Sequence, residues 1–91
     1  MPGRRFRVAG RVQGVGFRRF VVQVADRLGL VGTVRNASDG SVEVTAWGRV
    51  ADLESLQSKL ASGPRFSNVT NVESFEISDE PNLANGFQVV G

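Results

Sequence analysis

The stretch Gly10-Arg11-Val12-Gln13-Gly14-Val15-Gly16-Phe17-Arg18 decides how this chain folds. Before it, Arg4 to Val12 alternates, with Phe6, Val8, Gly10 and Val12 on one face and Arg5, Arg7, Ala9 and Arg11 on the other. That is the period of a half-buried strand. After it, Phe17, Phe20, Val21, Val24, Ala25 and Leu28 recur at helical spacing as far as Gly29. The stretch is therefore a glycine-spaced turn from strand to helix. Glycines let the backbone turn tightly and bring its N–H groups close to a ligand. A helix start adds unpaired N–H groups and a partial positive charge. Arg18 adds a planar fork of donors that matches phosphate or carboxylate. Together these read as an anion cradle, most naturally for phosphate. A plain tight β–α connection is the other reading of a Gly-x-Gly turn. The turn is not a dinucleotide fingerprint, since no third glycine follows at the required spacing, and no Gly-Lys-Ser/Thr marks a nucleotide-triphosphate loop.

Outward from the turn the pattern continues. Leu30 to Asn36 reads as a second strand, and Asp39-Gly40 as a hairpin turn. Ser41 to Trp47 reads as a third strand, with Val42, Val44 and Ala46 on one face. Val50, Leu53, Leu56, Leu60 and Ala61 predict a second amphipathic helix over 50–61, with Asp52 as its cap or first-turn acid, stopped by Ser62-Gly63-Pro64. Trp47 reads as sheet packing or a partly exposed aromatic. One strand is expected around Asn71–Ser78, a loop over Pro81–Gly86, and a short last strand over Phe87–Val90. The order β-α-β-β-α-β, plus a short C-terminal strand, predicts an α+β, ferredoxin-like sandwich. Its sheet is expected to be antiparallel, with both helices packed on one face. That topology serves many functions, so it carries no functional claim by itself.

Composition narrows the chemistry. The 91 residues suit a single domain, 1–91, with one modest core. No stretch is long enough to span a membrane, and arginines interrupt the first twenty residues where a signal peptide would be apolar. A cytoplasmic monomer is expected. There is no His, Cys or Tyr. That excludes a Ser-His-Asp triad, a cysteine nucleophile and a zinc site of His or Cys. No metal and no cofactor is expected. Charge is uneven: residues 1–50 hold nine arginines against three acids, a net +6, while residues 51–91 are net −4. The basic half contains the glycine turn, which points to an anionic partner. The positive charges are scattered rather than clustered, which makes a nucleic acid an unexpected one.

Residues at two further places stand out. Arg18 and Arg19 are adjacent at the start of the helix, where the dipole disfavours cations. They read either as a solvated pair or, for Arg18 close to the glycine turn, as a cation tolerated because an anion binds alongside. Asn36 sits just before the hairpin turn, either satisfying the turn backbone or serving a ligand. Asp39 reads as turn chemistry.

These residues also carry a family resemblance. Val8-Ala9-Gly10-Arg11-Val12-Gln13-Gly14-Val15-Gly16-Phe17-Arg18 resembles the first signature of the acylphosphatases. Gly32-x-Val34-Arg35-Asn36-x-x-Asp39-Gly40-x-Val42, continuing to Gly48, resembles their second. Thr33 departs from the aromatic usual at its position, which bears on packing rather than chemistry. The resemblance implies a metal-independent hydrolase that splits small acyl phosphates into a carboxylate and inorganic phosphate. It implies that Arg18 and the backbone N–H groups of Gln13, Gly14, Val15, Gly16, Phe17 and Arg18 hold the phosphate, and that Asn36 orients the attacking water. Inorganic phosphate or sulfate is then an expected site ligand. The alternative is a non-catalytic anion- or RNA-binding module on the same fold. RNA-binding members usually display aromatics on the sheet, whereas the outward positions of the first strand here are mainly Arg.

Overall fold

The computed structural model describes residues 1–78 and 86–91. The elements run β1 (Gly3–Arg11), α1 (Phe17–Arg27), β2 (Val31–Asn36), β3 (Val42–Trp47), α2 (Val50–Ser62), β4 (Asn68–Ile77) and β5 (Phe87–Val89). They form one five-stranded sheet in the order β4-β1-β3-β2-β5. The expected loop over Pro81–Gly86 lies, apart from Gly86, outside the described residues.

The alternating valines set the register. Phe6 pairs with Val44, which pairs with Val34, and Val8 pairs with Val42, which pairs with Asn36. Each such row crosses three strands on the same face. Those positions, Asn36 excepted, are buried in one cluster with Phe17, Val21, Val24 and Ala25 of α1 and Leu53, Leu56 and Leu60 of α2. A single cluster drawing on both helices puts them on one face of the sheet, as expected. The helix α1 ends in two reverse bonds, from Leu30 N–H to Ala25 O and from Gly29 N–H to Asp26 O, a Schellman ending. Asp52 lies in the first turn of α2 rather than at its cap, where it accepts a bond from Arg49 Nε at 2.9 Å.

Four expectations need correction. The sheet is mixed, not wholly antiparallel, because β5 runs parallel to β2. The cause is where the chain enters: β4 finishes with Ile77 opposite Gly3, and β5 starts with Phe87 opposite Gly32, both at the same end of the sheet. A strand starting there beside the beginning of β2 has to run in the same direction. Second, Gly10 is exposed rather than part of the buried face. The β1–β4 register shifts between Ala9 and Gly10, a β-bulge. A Cβ at Gly10 would fall 2.1 Å from the Asn68 carbonyl oxygen, and its φ of 122° also favours glycine. Third, Val50 and Ala61 are exposed, so the buried stripe of α2 is Leu53, Leu56 and Leu60 alone. Fourth, β4 starts at Asn68, three residues before the expected start. Trp47 is buried and lies against Gly3, so it packs on the sheet.

Both β1 and β2 are antiparallel to β3 between them. Their C-terminal ends therefore emerge at the same end of the sheet. The glycine turn follows one and the hairpin containing Asp39 follows the other.

Candidate active site

The turn between β1 and α1 is pinned at both ends. Val12 and Phe17 are each only 1% exposed, and Val15 between them packs against the core. Gly14 and Gly16 adopt φ of 74° and 79°, the left-handed region that disfavours any side chain. A Cβ at either position would meet nothing within 4 Å. The glycines are thus required by backbone conformation, and they leave the outer side of the turn open.

Gly16 is the N-cap of α1, and no side chain caps this helix. No acidic residue lies in its first turn. The first N–H groups of the helix have no helical carbonyl to bond, and Phe20 N–H is bonded to Gly16 O at 3.1 Å. Arg18 and Arg19 occupy the second and third helical positions, Arg18 half-buried and Arg19 exposed. N–H groups without a helical carbonyl, the positive helix end and an arginine thus belong to the same first turn, and Arg18 lines one depression with Gly16. That is a composition suited to an anion.

Asn36 is the last residue of β2. It belongs to the row Val8–Val42–Asn36, on the helix-covered face and two strand spacings from Val8, or about 10 Å. Its Oδ1 is buried, and no group among the described residues hydrogen-bonds to it. A buried acceptor without a partner is costly, typically about 1–3 kcal/mol. The turn-satisfying reading of this oxygen is therefore not what the structure contains. The turn is served instead by Asp39, whose Oδ1 accepts from Ser41 N–H at 3.0 Å and from Ser41 Oγ at 2.6 Å. Asp39 also pairs with Arg7 of β1. Its reading as turn chemistry stands.

One side chain beside the turn makes contacts that the sequence does not signal. Gln13 enters the sequence reading only through its backbone N–H. Its side-chain Nε2 donates to Ala37 O at 2.8 Å and to Ser41 O at 2.9 Å. It therefore ties the glycine turn to the hairpin that follows Asn36. Nothing in the linear pattern signals this, because the partners are backbone carbonyls 24 and 28 residues away.

Arg18, the turn and Asn36 thus come to one end of the sheet. Among the described residues there is no group of three or more His, Cys, Asp or Glu that could hold a metal ion. A site of N–H donors, one guanidinium and one free amide oxygen suits a hydrolase that works on small phosphorylated molecules by holding and aligning them. The family model described as Acylphosphatase matches residues 4–89, and the chain belongs to the acylphosphatase family. It is 51% identical over 88 residues to an acylphosphatase of Koribacter versatilis, covering 97% of this chain and 79% of that protein. The crystal structure of an acylphosphatase from Bacillus subtilis superposes with a TM-score of 0.92 at 41% identity, covering all of both chains. An acylphosphatase structure from Coxiella burnetii gives 0.91 at 37% identity, covering 98% of this chain and 92% of that one. The chain is accordingly a hydrolase of small acyl phosphates, and the non-catalytic alternative gives way. No helix among the described residues is long and apolar enough to cross a membrane.

Proposed function

We propose that Arg18 and the N–H groups of residues 13–18 hold the phosphate of the acyl phosphate while Asn36 fixes the line of attack of water. The observation that carries this reading is the buried, unpartnered Oδ1 of Asn36 at the same end of the sheet as the cradle. An amide oxygen does not act as a base near neutral pH, but it accepts one hydrogen bond from water and so orients it. The leaving group is a carboxylate, which departs without a proton, so no general acid is needed. Phosphoryl transfer depends chiefly on positioning and on stabilising charge over the phosphate oxygens. Backbone donors and one guanidinium supply both. This accounts for an enzyme whose sequence has no His, Cys or Tyr.

No step in this scheme calls for a metal or a cofactor. Inorganic phosphate, as product, and sulfate, as its mimic, are the site ligands it implies. The single core cluster drawing on both helices supports one domain over residues 1–91. The absence of cysteine agrees with action in the cytoplasm, and we take the acting species to be a monomer.

The test is hydrolysis of an aryl acyl phosphate by the purified chain in the presence of a chelator, repeated with Asn36→Ala. The wild-type chain should turn over with chelator present. Asn36→Ala should lose kcat while competitive inhibition by inorganic phosphate stays nearly unchanged, as expected for a contact made only in the transition state. A folded Asn36→Ala protein with full specific activity would remove the water-orienting role.

A further inference from the structure

The cradle accounts for one end of the substrate, and the acyl part has to lie beyond it. Beside the start of α1 is a depression of about 390 Å³ whose lining includes Arg18, Arg19, Val12, Val22 and Val89. Val22 follows Arg18 by four residues and Arg19 by three, so the three side chains share one strip of the helix surface. Val12 closes the depression from the glycine turn, and Val89 does so from β5. The depression thus combines an apolar wall with two cations, of which the phosphate requires one.

The second cation, Arg19, is exposed, and it has no hydrogen bond or ion pair among the described residues. It occupies the third helical position, where glutamate or glutamine ordinarily stabilises a helix start and a cation is disfavoured. Local folding energy therefore does not explain it. An anion on the substrate does. A guanidinium matches a carboxylate in bidentate fashion, and among the described residues no polar side chain other than Arg18 and Arg19 lines the depression to share in holding a larger anion such as a second phosphate.

We propose that Arg19 is a specificity-determining residue that binds a carboxylate at the far end of the acyl chain, so that this enzyme favours the acyl phosphates of dicarboxylic acids. This rests on Arg18 and the turn holding the reacting phosphate. The acyl carbons lie along Val22 and Val89, and the distal carboxylate meets Arg19.

The experiment compares kcat/KM for succinyl phosphate and butyryl phosphate, which share a four-carbon acyl chain and differ at its end. The ratio is measured at low salt for wild type, Arg19→Gln and Arg19→Glu. An exposed ion pair of this kind is worth up to about fivefold, so the succinyl-to-butyryl ratio should fall about that much in Arg19→Gln. It should fall further in Arg19→Glu, whose new carboxylate repels the substrate's own. Adding salt should shrink the difference between wild type and Arg19→Gln. Both replacements are good helix formers, and glutamate suits this position, so loss of fold does not obscure the result. An unchanged ratio in both variants would overturn the proposal. Arg18→Gln separates it from the reading beneath: both substrates should lose activity by the same large factor. If Arg18→Gln stays active, the phosphate site falls and this proposal with it. If Arg18→Gln is inactive while the Arg19 ratio is constant, only this proposal falls.

Discussion

The hairpin end of the sheet and the β4 edge are held together in opposite ways. At the hairpin end, Gln13 bonds two carbonyls of a distant segment, Asp39 serves Ser41 twice and also pairs with Arg7, and Val12 and Phe17 are fully buried beside the turn. Along β4 the ladder to β1 is long, but no residue of the strand is buried, and Phe75 is 50% exposed. One region depends on particular side-chain hydrogen bonds and the other chiefly on repeated backbone pairing, with only Val69 and Val72 half-buried against the core. Backbone pairing tolerates substitution because any non-proline residue supplies the same donor and acceptor. Side-chain struts do not. The two regions should therefore respond to mutation in different ways.

The largest effect should come from Arg18. Removing one charge-stabilising donor typically costs on the order of 10²–10³ in rate, and Arg18→Ala should lose at least that while phosphate inhibition weakens. Arg18→Lys should restore little, because a point charge does not reproduce the fork. Steady-state kinetics with phosphate as inhibitor checks both. Recovery of most activity by lysine would show that charge alone matters at this end, and the contrast with β4 would lose its basis.

A smaller effect is expected at Gln13, a positioning residue. Gln13→Ala removes two bonds to backbone carbonyls and should destabilise the fold by about 1–2 kcal/mol. It should also lower kcat by roughly tenfold, since a slight misplacement of aligned groups is costly. The inhibition constant for phosphate should move much less, because the cradle itself is intact. Denaturant titration together with kinetics separates the two. A stability loss with no change in kcat would make Gln13 a structural tie only.

The smallest effect should come from Phe75→Thr on β4. The strand preference is kept and the site is remote, so stability should shift by no more than about 0.5 kcal/mol and kcat not at all. A loss above about 2 kcal/mol would show that β4 is held by its side chains after all.

The same contrast explains what the sequence discloses. The buried rows come from strict alternation at Phe6 and Val8, at Val34, and at Val42 and Val44, and alternation is readable in one dimension. The glycine turn is readable because two positive-φ positions demand glycine. Asn36 could be singled out by its place before the turn, but the freedom of its Oδ1 depends on Asp39 having taken over the turn. The strut from Gln13 depends on two carbonyls brought near by the sheet. The direction of β5 depends on which end of the sheet the chain reaches. The exposure of Val50 reflects its place as the first residue of α2, where the helix has yet to settle against the sheet. These facts are set by the assembled sheet, and no local pattern encodes them.

The uncapped start of α1 has a consequence for folding as well as for chemistry. Where most helices begin on a serine, threonine, aspartate or asparagine, this one begins on glycine with two arginines after it. Its first turn is written for a guest rather than for its own side chains. Binding and folding are then linked: an anion that occupies the cradle completes the helix, and the native state becomes more stable by an amount that grows with the logarithm of anion concentration. The unfolding midpoint should climb with added phosphate and stay level in chloride of equal ionic strength. An anion held there would be, in this sense, a missing piece of the fold.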